Sequence, residues 1–402
     1  MNKKTFKDVD VTGKRVLVRV DFNVPVNENN EITDETRIIS AIPTIKYLIN
    51  NNAKVILCSH FGRPKGVFNA NLSLKFIADR LSELLEQPVK MANDVIGDSA
   101  KELASTLQNG EVMMLENVRF HKEEEENDEY FAKELASMAD LFIFDAFGTA
   151  HRAHASTAGV SRYLPAVAGF LVAKEMTEID KVMEKPEQPF VVIFGGKKVS
   201  DKIGVISKLI GKASAVLIGG AMAFTFIVAQ GGEIGLSRYE KDKIDVAKQI
   251  IELAEKKNVK IVLPVDSVVV KEFSPNSKTK VVNARKIPAD YQSMDIGPKT
   301  VKLFKKELRN ARTIVWNGPL GVCEFKKFQK GTNSIAEFVA KRGVTSIVGG
   351  GDTVAAINKT NYADRLTHIS TGGGATLEYL EGKPMPAISM LLDKEEVVQE
   401  KK

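Results

Sequence analysis

Short apolar runs that end in polar or glycine residues recur along this chain, and a stretch with helical periodicity follows most of them. Five runs lie in the first half: RVLVRVDFNVP, AKVILCSHFGRP, EVMMLENVRFH, LFIFDAFGTAHRA and the weaker PVKMAND. Six lie in the second half: FVVIFGGKK, SAVLIGGAM, VKIVLPVD, ARTIVWNGPLG, TSIVGGGDT and THISTGGGA. Continuously apolar runs, rather than alternating ones, predict strands of parallel sheets covered by helices on both faces. So many strands favour two sheets over one.

The boundary between the two sheets is visible in the sequence. The segment GFLVAKEMTEIDKVMEK predicts an amphipathic helix over 169–185, and the two prolines of PEQP, 186–189, end it. We therefore expect an α/β protein of two doubly wound, Rossmann-like parallel-sheet domains joined by an interdomain helix. The first domain is predicted over 1–168 and the second over 186–374.

Composition excludes several classes of function. The net charge of +6 is scattered, without a long basic run or interleaved aromatic residues, so no nucleic-acid partner is expected. A modest positive balance suits small anionic substrates. The acidic run Glu123 to Glu126 is interpreted as a solvated helix start. Cys58 and Cys323 lie far apart in or beside apolar runs, which indicates reduced packing residues in a cytosolic protein.

One uncharged segment, residues 213–232, is long enough to span a membrane. Gly219 and Gly220 split it, and its first half is β-branched, so a strand, a glycine turn and a buried helix fit better. The start MNKKTFKDVD has no apolar stretch typical of a secretory signal. No membrane association is expected, and the predicted location is cytoplasmic.

The strand ends of the first half carry bases, and ligands of open parallel sheets bind beyond such ends. Arginine grips phosphate or carboxylate with two hydrogen bonds, so several arginines on separate strands predict an anion site. A histidine metal site is an alternative, since His151 and His154 of HRAH are three residues apart, but no H-E-x-x-H pattern and no nearby thiolate cluster occur. Asp21 is either an acceptor for a substrate hydroxyl or a structural cap or ion-pair partner. The strand-end residues are Asp21, Asn23, His60, Arg63, Arg119, His121, His151, Arg152 and His154.

The strand ends of the second half carry glycines, which let backbone N–H groups approach a ligand. Glycines at five strand ends predict a nucleotide site: Gly195 and Gly196, Gly219 and Gly220, Gly318, Gly349 to Gly351, and Gly372 to Gly374. Asp352 is a candidate ligand for Mg²⁺, with a helix N-cap as its alternative. Thr353 would lie near the same phosphates.

The stretch FVVIFGGKKVSDKIG, 190–204, suggests phosphate binding, although the Walker A pattern is absent from the chain. If the helix begins at 199, Lys198 and Lys202 share a face and are the expected phosphate ligands, whereas Lys197 is solvated. A small anion on one half and a magnesium nucleotide on the other predict phosphoryl transfer, with hinge closure that brings the reactants in line and excludes water.

Ten motifs resemble the phosphoglycerate kinase family, in that family's order and over essentially the whole chain. They are RVDFNVP, SHFGRPKG, ENVRFHKEEE, DAFGTAHRAHAST, KVSDKIGVI, LPVD, DIGPKT, WNGPLGVCEF, GGGDT and STGGGATLEYLEGK. The resemblance implies a glycolytic enzyme that moves the acyl phosphate of 1,3-bisphosphoglycerate to MgADP, in line, in a closed interdomain cleft. The products are 3-phosphoglycerate and MgATP, and a monomer is expected. It also implies that the C-terminal segment, 375–402, returns to the first domain.

The resemblance implies a role for each site residue. A phosphoglycerate site is expected at Asp21, Asn23, Arg37, His60, Arg63, Arg119 and Arg152, and Arg37 enters from the resemblance alone. Catalytic roles fall to Arg37, Lys198, Gly372 and Gly373, and Asp352 is the expected Mg²⁺ ligand. The nucleotide site is expected at Gly195, Gly196, Lys202, Gly219, Gly297, Asn317, Pro319, Val322, Glu324, Gly350, Gly351, Asp352 and Thr353, with Glu324 on the ribose.

Four positions depart from the family pattern: Lys197, Phe144, Ala221 and Cys323. None of them removes a residue with an expected chemical role, but Lys197 stands where the family usually has a small residue beside the nucleotide. Two rival interpretations are a non-catalytic binding protein on the same scaffold and a different small-molecule kinase. The first would be expected to lack Arg37, Lys198 or Asp352, and all three are present.

Overall fold

The computed structural model describes residues 2–394, and the chain divides into two compact units. The first unit comprises the residues up to Thr177 together with the segment from Pro384 onward, and the second comprises Glu178–Lys383. Residues 375–383, which we expected in the returning segment, thus belong to the second unit. Residues 395–402 of that segment lie outside the described residues.

The first unit is built on a six-stranded parallel sheet. Its spatial order is β3-β4-β2-β1-β5-β6. The strands are β1 (Arg15–Val20), β2 (Lys54–Cys58), β3 (Val89–Met91), β4 (Val112–Met114), β5 (Leu141–Asp145) and β6 (Ala166–Ala168). The helices are α1 (Thr36–Asn50), α2 (Lys75–Leu85), α3 (Asp98–Thr106), α4 (Lys122–Glu125), α5 (Glu129–Ser137) and α6 (Phe170–Glu184), which continues into the second unit.

The C-terminal segment of the described chain packs into this first unit. It contains a short helix over Pro386–Ser389. The Lys4 backbone N–H donates to the Leu392 carbonyl at 2.7 Å, and the Leu392 N–H donates to the Ala166 carbonyl at 2.9 Å. The two ends of the described chain therefore meet beside β6.

The second unit is built on a second six-stranded parallel sheet, with the spatial order β10-β8-β7-β15-β16-β17. Numbered along the chain within this sheet, the order is 3-2-1-4-5-6, that of a doubly wound nucleotide-binding fold. Its strands are β7 (Phe190–Phe194), β8 (Ala215–Ile218), β10 (Lys260–Val262), β15 (Thr313–Asn317), β16 (Thr345–Gly349) and β17 (His368–Ile369). The direction of winding reverses between β7 and β15.

Two small sheets supplement the second unit. One is antiparallel, with the order β12-β11-β14, and the other pairs β13 with β9. Their strands are β9 (Glu233–Ile234), β11 (Asp266–Val270), β12 (Lys280–Asn283), β13 (Lys286–Ile287) and β14 (Gln292–Ile296). The helices of this unit are α7 (Ile203–Ile210), α8 (Met222–Ala229), α9 (Ile244–Lys256), α10 (Pro298–Leu308), α11 (Lys330–Arg342), α12 (Gly351–Asn358) and α13 (Gly374–Glu381).

Both faces of each parallel sheet are buried in the interior of its unit. Val16, Leu17 and Val18 of β1 are each fully buried, and so are Val192, Ile193 and Phe194 of β7. Both cysteines are buried and free. Residues 213–232 form β8, a glycine turn and α8 as expected, and no helix among residues 2–394 is long and apolar enough to cross a bilayer.

Candidate functional site

The carboxyl ends of the first sheet carry a cluster of basic side chains, which we call the basic cluster and define by Arg37, His60, Arg119 and Arg152. His60 lies two residues after the end of β2 and is 3% exposed. Burial, and then the positive charges of Arg19, Arg119, Arg37 and Arg152, lower the pKa of His60 well below its usual range. Three of the arginines expected at the anion site, Arg37, Arg119 and Arg152, therefore lower the pKa of His60. The fourth, Arg63, is exposed and is not among these causes.

Asp21 and Asn23 hold Arg37 at this edge. One terminal nitrogen of Arg37, Nη1, donates to Asp21 Oδ1 at 3.0 Å and to the Asn23 carbonyl at 3.0 Å. The Asn23 side-chain oxygen accepts the Gly62 backbone N–H at 2.9 Å. Asp21 is therefore an ion-pair partner in this structure, which was one of its two sequence interpretations. The guanidinium carries three further N–H groups on its other nitrogens.

Arg119 and Arg152 are held by weaker constraints. Arg119 is 4% exposed and donates through Nη1 to the Gly62 carbonyl at 3.0 Å, but its buried Nε has no hydrogen-bond partner. Glu125 lies 3.5 Å from that Nε. The Arg152 Nε donates to His151 Nε2 at 3.3 Å. A buried guanidinium with an unused donor fits an anionic ligand, since buried polar groups are otherwise hydrogen-bonded.

Two buried charges beneath the basic cluster were missed by sequence reasoning. Arg19 is 1% exposed and Glu124 is fully buried, so the interpretation of residues 123–126 as a solvated run is wrong at Glu124. Ser156 joins them, because its hydroxyl accepts from Arg19 Nε at 2.8 Å and donates to Glu124 at 2.6 Å. A charged residue inside the apolar run VLVRV was the available signal, since a buried charge needs a partner.

The glycines after β7 and β15 allow the second sheet's two central strand ends to touch. The Gly195 N–H donates to the Asn317 carbonyl at 2.9 Å, and the Gly196 N–H donates to the Pro319 carbonyl at 2.8 Å. A Cβ on Gly195 would lie 2.2 Å from the Pro319 carbonyl oxygen. These glycines are therefore required by the fold at the point where strand order reverses, which is where such sheets bind ligands.

Lys202 and Asn317 form a buried pair at this point. Lys202 is 8% exposed, and its Nζ donates to Asn317 Oδ1 at 2.7 Å. Burial lowers the pKa of Lys202, and the carboxylates of Asp201 and Asp352 oppose that shift. The Asn317 amide nitrogen is buried without a hydrogen-bond partner. An unpaired buried donor beside a lysine fits a phosphate oxygen.

The helix-face argument for the lysines is wrong. Residues 199–202 form turns and α7 begins at Ile203, so Lys198 and Lys202 do not share a helical face. Lys198 is exposed, whereas Lys202 is buried. Lys197 is exposed as expected, and its Nζ lies 3.4 Å from Glu324 Oε1.

The start of α12 presents a carboxylate. Gly350, with φ of 91°, is the N-cap, so the alternative N-cap role of Asp352 is wrong. Asp352 lies in the first turn with its side chain exposed, while Thr353 is buried and its hydroxyl accepts the Gly318 N–H at 2.8 Å. Gly373 similarly caps α13, with φ of 56°.

A cavity of about 400 Å³ opens within the second unit. Five residues expected at the nucleotide site line it: Gly196, Pro319, Val322, Glu324 and Asp352. Sequence reasoning missed several other lining residues. Phe273 and Asp295 come from the antiparallel sheet and its loops, Phe224 comes from α8, and Arg238 lies between β9 and α9. The Arg238 guanidinium lies 5.8 Å from the Phe273 ring centre.

Two expected nucleotide residues have a packing reason of their own. A Cβ on Gly297 would lie 2.2 Å from the Asp266 carboxyl carbon, and a Cβ on Gly219 would lie 2.6 Å from a Leu320 methyl. Gly372 is buried before α13. The histidine metal site finds no support, because residues 2–394 contain no group of three His, Cys, Asp or Glu side chains placed to hold an ion.

Two doubly wound units, one ending in a basic cluster and the other in glycine-rich turns beside a cavity, are typical of α/β enzymes that act on phosphorylated substrates. The family model for phosphoglycerate kinase matches residues 6–383. A phosphoglycerate kinase of Finegoldia magna is 54% identical over 393 residues, which are 97% of this chain and 99% of that protein. One of Dictyoglomus turgidum is 54% identical over 398 residues, covering 98% of this chain and 100% of that protein.

Solved structures give the same answer. Phosphoglycerate kinase from Coxiella burnetii has a TM-score of 0.87 at 42% identity and covers 96% of this chain and 98% of its own. The enzyme from Pyrococcus horikoshii has a TM-score of 0.85 at 33% identity, with the same coverage. The chain therefore belongs to the phosphoglycerate kinase family, a family of glycolytic kinases with a nucleotide substrate.

Proposed function

We propose that this chain transfers the acyl phosphate of 1,3-bisphosphoglycerate to MgADP, giving 3-phosphoglycerate and MgATP, and catalyses the reverse reaction. The observation that carries the proposal is the basic cluster, in which burial and the positive charges of Arg119, Arg37 and Arg152 lower the pKa of the buried His60. Family membership supports the substrate assignment.

The first unit would hold the phosphoglycerate. Arginines bind phosphate and carboxylate through two parallel hydrogen bonds. The unused donors of Arg37, and the Arg119 Nε, which makes no hydrogen bond, are available for this. Asp21 would orient Arg37 and accept from the substrate hydroxyl. Asn23, His60, Arg63 and Arg152 complete the proposed site.

The second unit would hold the nucleotide. The proposed phosphate ligands are Lys202, the unpaired amide of Asn317 and the backbone around Gly195 and Gly196. Gly350, Gly351, Thr353, Gly372 and Gly373 place the first turns of α12 and α13 at the same edge. The cavity would take the nucleoside, with Pro319, Val322 and Glu324 in its lining. Gly219 and Gly297 would shape the neighbouring backbone.

The residues present fit a magnesium nucleotide. Mg²⁺ in kinase sites is held by one or two carboxylates together with substrate phosphates and waters, and Asp352 supplies an exposed carboxylate at the start of α12. When bound, Mg²⁺ would neutralise charge on the phosphates. Arg37 and Lys198 would bind the transferring group and stabilise the charge that develops on it. The acceptor carboxylate of 3-phosphoglycerate has no proton to remove, so no general base is required.

A coupled assay tests the reaction. MgATP consumption by the purified protein should depend on 3-phosphoglycerate when the product is removed. Arg37→Ala and Lys198→Ala should each lower the rate by about 10³- to 10⁵-fold, the range for a cation placed on transferring charge.

Arg80→Ala is the control, because Arg80 is a partly buried arginine of α2 that pairs with Glu35 and Glu83 and has no proposed role in the reaction. This variant should keep turnover within a small factor of the wild type. Binding of both ligands without turnover would instead support the non-catalytic alternative, and turnover with another phosphate acceptor would support a different kinase. Monomeric state and cytoplasmic location stay predictions from the sequence.

A further inference from the structure

Arg19 contacts His60 of the basic cluster, but the proposed reaction assigns no role to this arginine. It lies in β1, is 1% exposed, and spreads its guanidinium over three acceptors. Nε donates to Ser156 Oγ at 2.8 Å, Nη1 donates to the Val20 carbonyl, and Nη2 lies 3.0 Å from His60 Nδ1. These three contacts hold the guanidinium in place, and Nη2 faces the imidazole ring of His60.

That last contact determines where the His60 proton lies. A guanidinium has N–H donors only and does not lose its proton in proteins. The Nδ1 atom of His60 must therefore be the acceptor in the 3.0 Å contact, which leaves the single proton of the neutral ring on Nε2. A protonated ring would direct an Nδ1–H at an N–H donor.

The charges around His60 also oppose a protonated ring. Besides burial, the main influences on its pKa are the charges of Arg19 from β1, Arg119 after β4, Arg37 from α1 and Arg152 after β5, and all four are positive. The buried carboxylate of Glu124 accepts from the backbone N–H and the hydroxyl of Ser156, and that hydroxyl accepts from Arg19. Burial and these cations together lower the pKa of His60.

We propose that Arg19 is a positioning residue that fixes His60 as the neutral Nε2–H tautomer, so that His60 offers the phosphoglycerate an uncharged hydrogen-bond donor. The proposal rests on the proposed function in one respect, the placement of substrate beside His60. Three arginines already supply the positive charge of this edge, and a neutral donor adds direction without adding repulsion among cations.

The tautomer is measured directly on the wild-type protein. Long-range ¹H–¹⁵N NMR distinguishes a protonated ring nitrogen from an unprotonated one, and the chain has only five histidines to assign. The His60 signals should show Nε2 protonated and Nδ1 unprotonated at about pH 7. An Nδ1–H tautomer, or a doubly protonated ring, overturns the proposal.

Arg19→Lys tests the positioning role while keeping the positive charge that opposes buried Glu124. Lysine is a point donor without the planar fork, so it cannot keep the bonds to Ser156, Val20 and His60 together. We expect mixed His60 tautomers and a rise in KM for 3-phosphoglycerate of roughly 2- to 12-fold, with kcat little changed. Arg80→Lys is the matched control and should change neither.

Two substitutions of His60 separate its nitrogens. His60→Gln can place an amide N–H near the Nε2 position, whereas His60→Asn reaches only the Nδ1 position. We expect the glutamine variant to keep tighter 3-phosphoglycerate binding than the asparagine variant. Unchanged tautomer in Arg19→Lys, whatever its KM, would refute the positioning role. A correct tautomer in a wild-type protein without 3-phosphoglycerate turnover would refute the proposed function but not the role of Arg19.

Discussion

Gly351 gives a direct test of where the nucleotide approaches the second unit. It is the first residue of α12, follows the N-cap Gly350, and has no protein atom within 4 Å of the place where a Cβ would stand. Its backbone is helical, so alanine fits without strain. Nothing in the protein itself therefore requires glycine here, unlike at Gly195, where a Cβ would meet the Pro319 carbonyl oxygen at 2.2 Å.

The expected effects of Gly351→Ala have opposite signs. Alanine should raise the free energy of unfolding by about 0.4–1 kcal/mol, because it lowers the entropy of the unfolded chain. If a phosphate lies against the α12 N-terminus, the added methyl group overpacks the contact, at a cost of about 1–3 kcal/mol. That cost corresponds to an affinity for MgADP that is weaker by roughly 5- to 150-fold.

Both quantities can be measured on one protein. Trp316 is the chain's single tryptophan, lies in β15 and is fully buried, so its fluorescence reports urea unfolding of the second unit. Calorimetry gives the affinity for MgADP. Gly211→Ala is the control, because Gly211 also has an ordinary φ of −67°, with only a backbone oxygen at 3.8 Å. Equal MgADP affinity in Gly351→Ala and the wild type would refute the placement of the nucleotide at α12.

Two further predictions concern single side chains. Lys197→Ala should tighten binding of ADP but not of 2′,3′-dideoxy-ADP. The substitution removes the ammonium group that lies 3.4 Å from Glu324 Oε1, so the carboxylate becomes free to bind the ribose hydroxyls. Equal effects on both nucleotides in calorimetry would contradict this. Burial raises the pKa of Asp145 to about 7. The folded state therefore holds the proton of this carboxyl group more strongly than the unfolded state does. The free energy of unfolding should consequently fall as pH rises from about 4 to 7. Asp145→Asn should remove up to about 4 kcal/mol of that fall in urea titrations, and an unchanged pH slope would refute the assignment.

The two parallel sheets were predictable because burial on both faces leaves a plain pattern. All eleven apolar runs form strands, and the helix expected over 169–185 is α6, Phe170–Glu184. The sequence did not reveal β6, whose three residues are too few and too small to stand out. It also missed the antiparallel sheet, where β12 is mostly exposed and has no continuous apolar run. This sheet and its loops supply much of the cavity lining.

The location of a candidate site residue was predictable where that residue closely follows a strand. Asp21, His60 and Gly195 come one or two residues after β1, β2 and β7, which places them at the carboxyl ends of the two parallel sheets. The lysine argument failed because it depended on where α7 begins, and helix ends are poorly fixed by periodicity. The Arg19–Ser156–Glu124 network was missed because long-range contacts between buried polar groups leave no local pattern.

The order of the chain has a consequence for how the protein is made on the ribosome. The first unit is discontinuous, since its last segment follows Pro384, whereas the second unit is one continuous stretch, Glu178–Lys383. Domains fold as units during synthesis, from the N-terminus onward. The second unit can therefore be synthesised in full while the first unit still lacks Leu392, the residue that hydrogen-bonds to Lys4 and Ala166. The half of the enzyme that is translated first is the last to be completed.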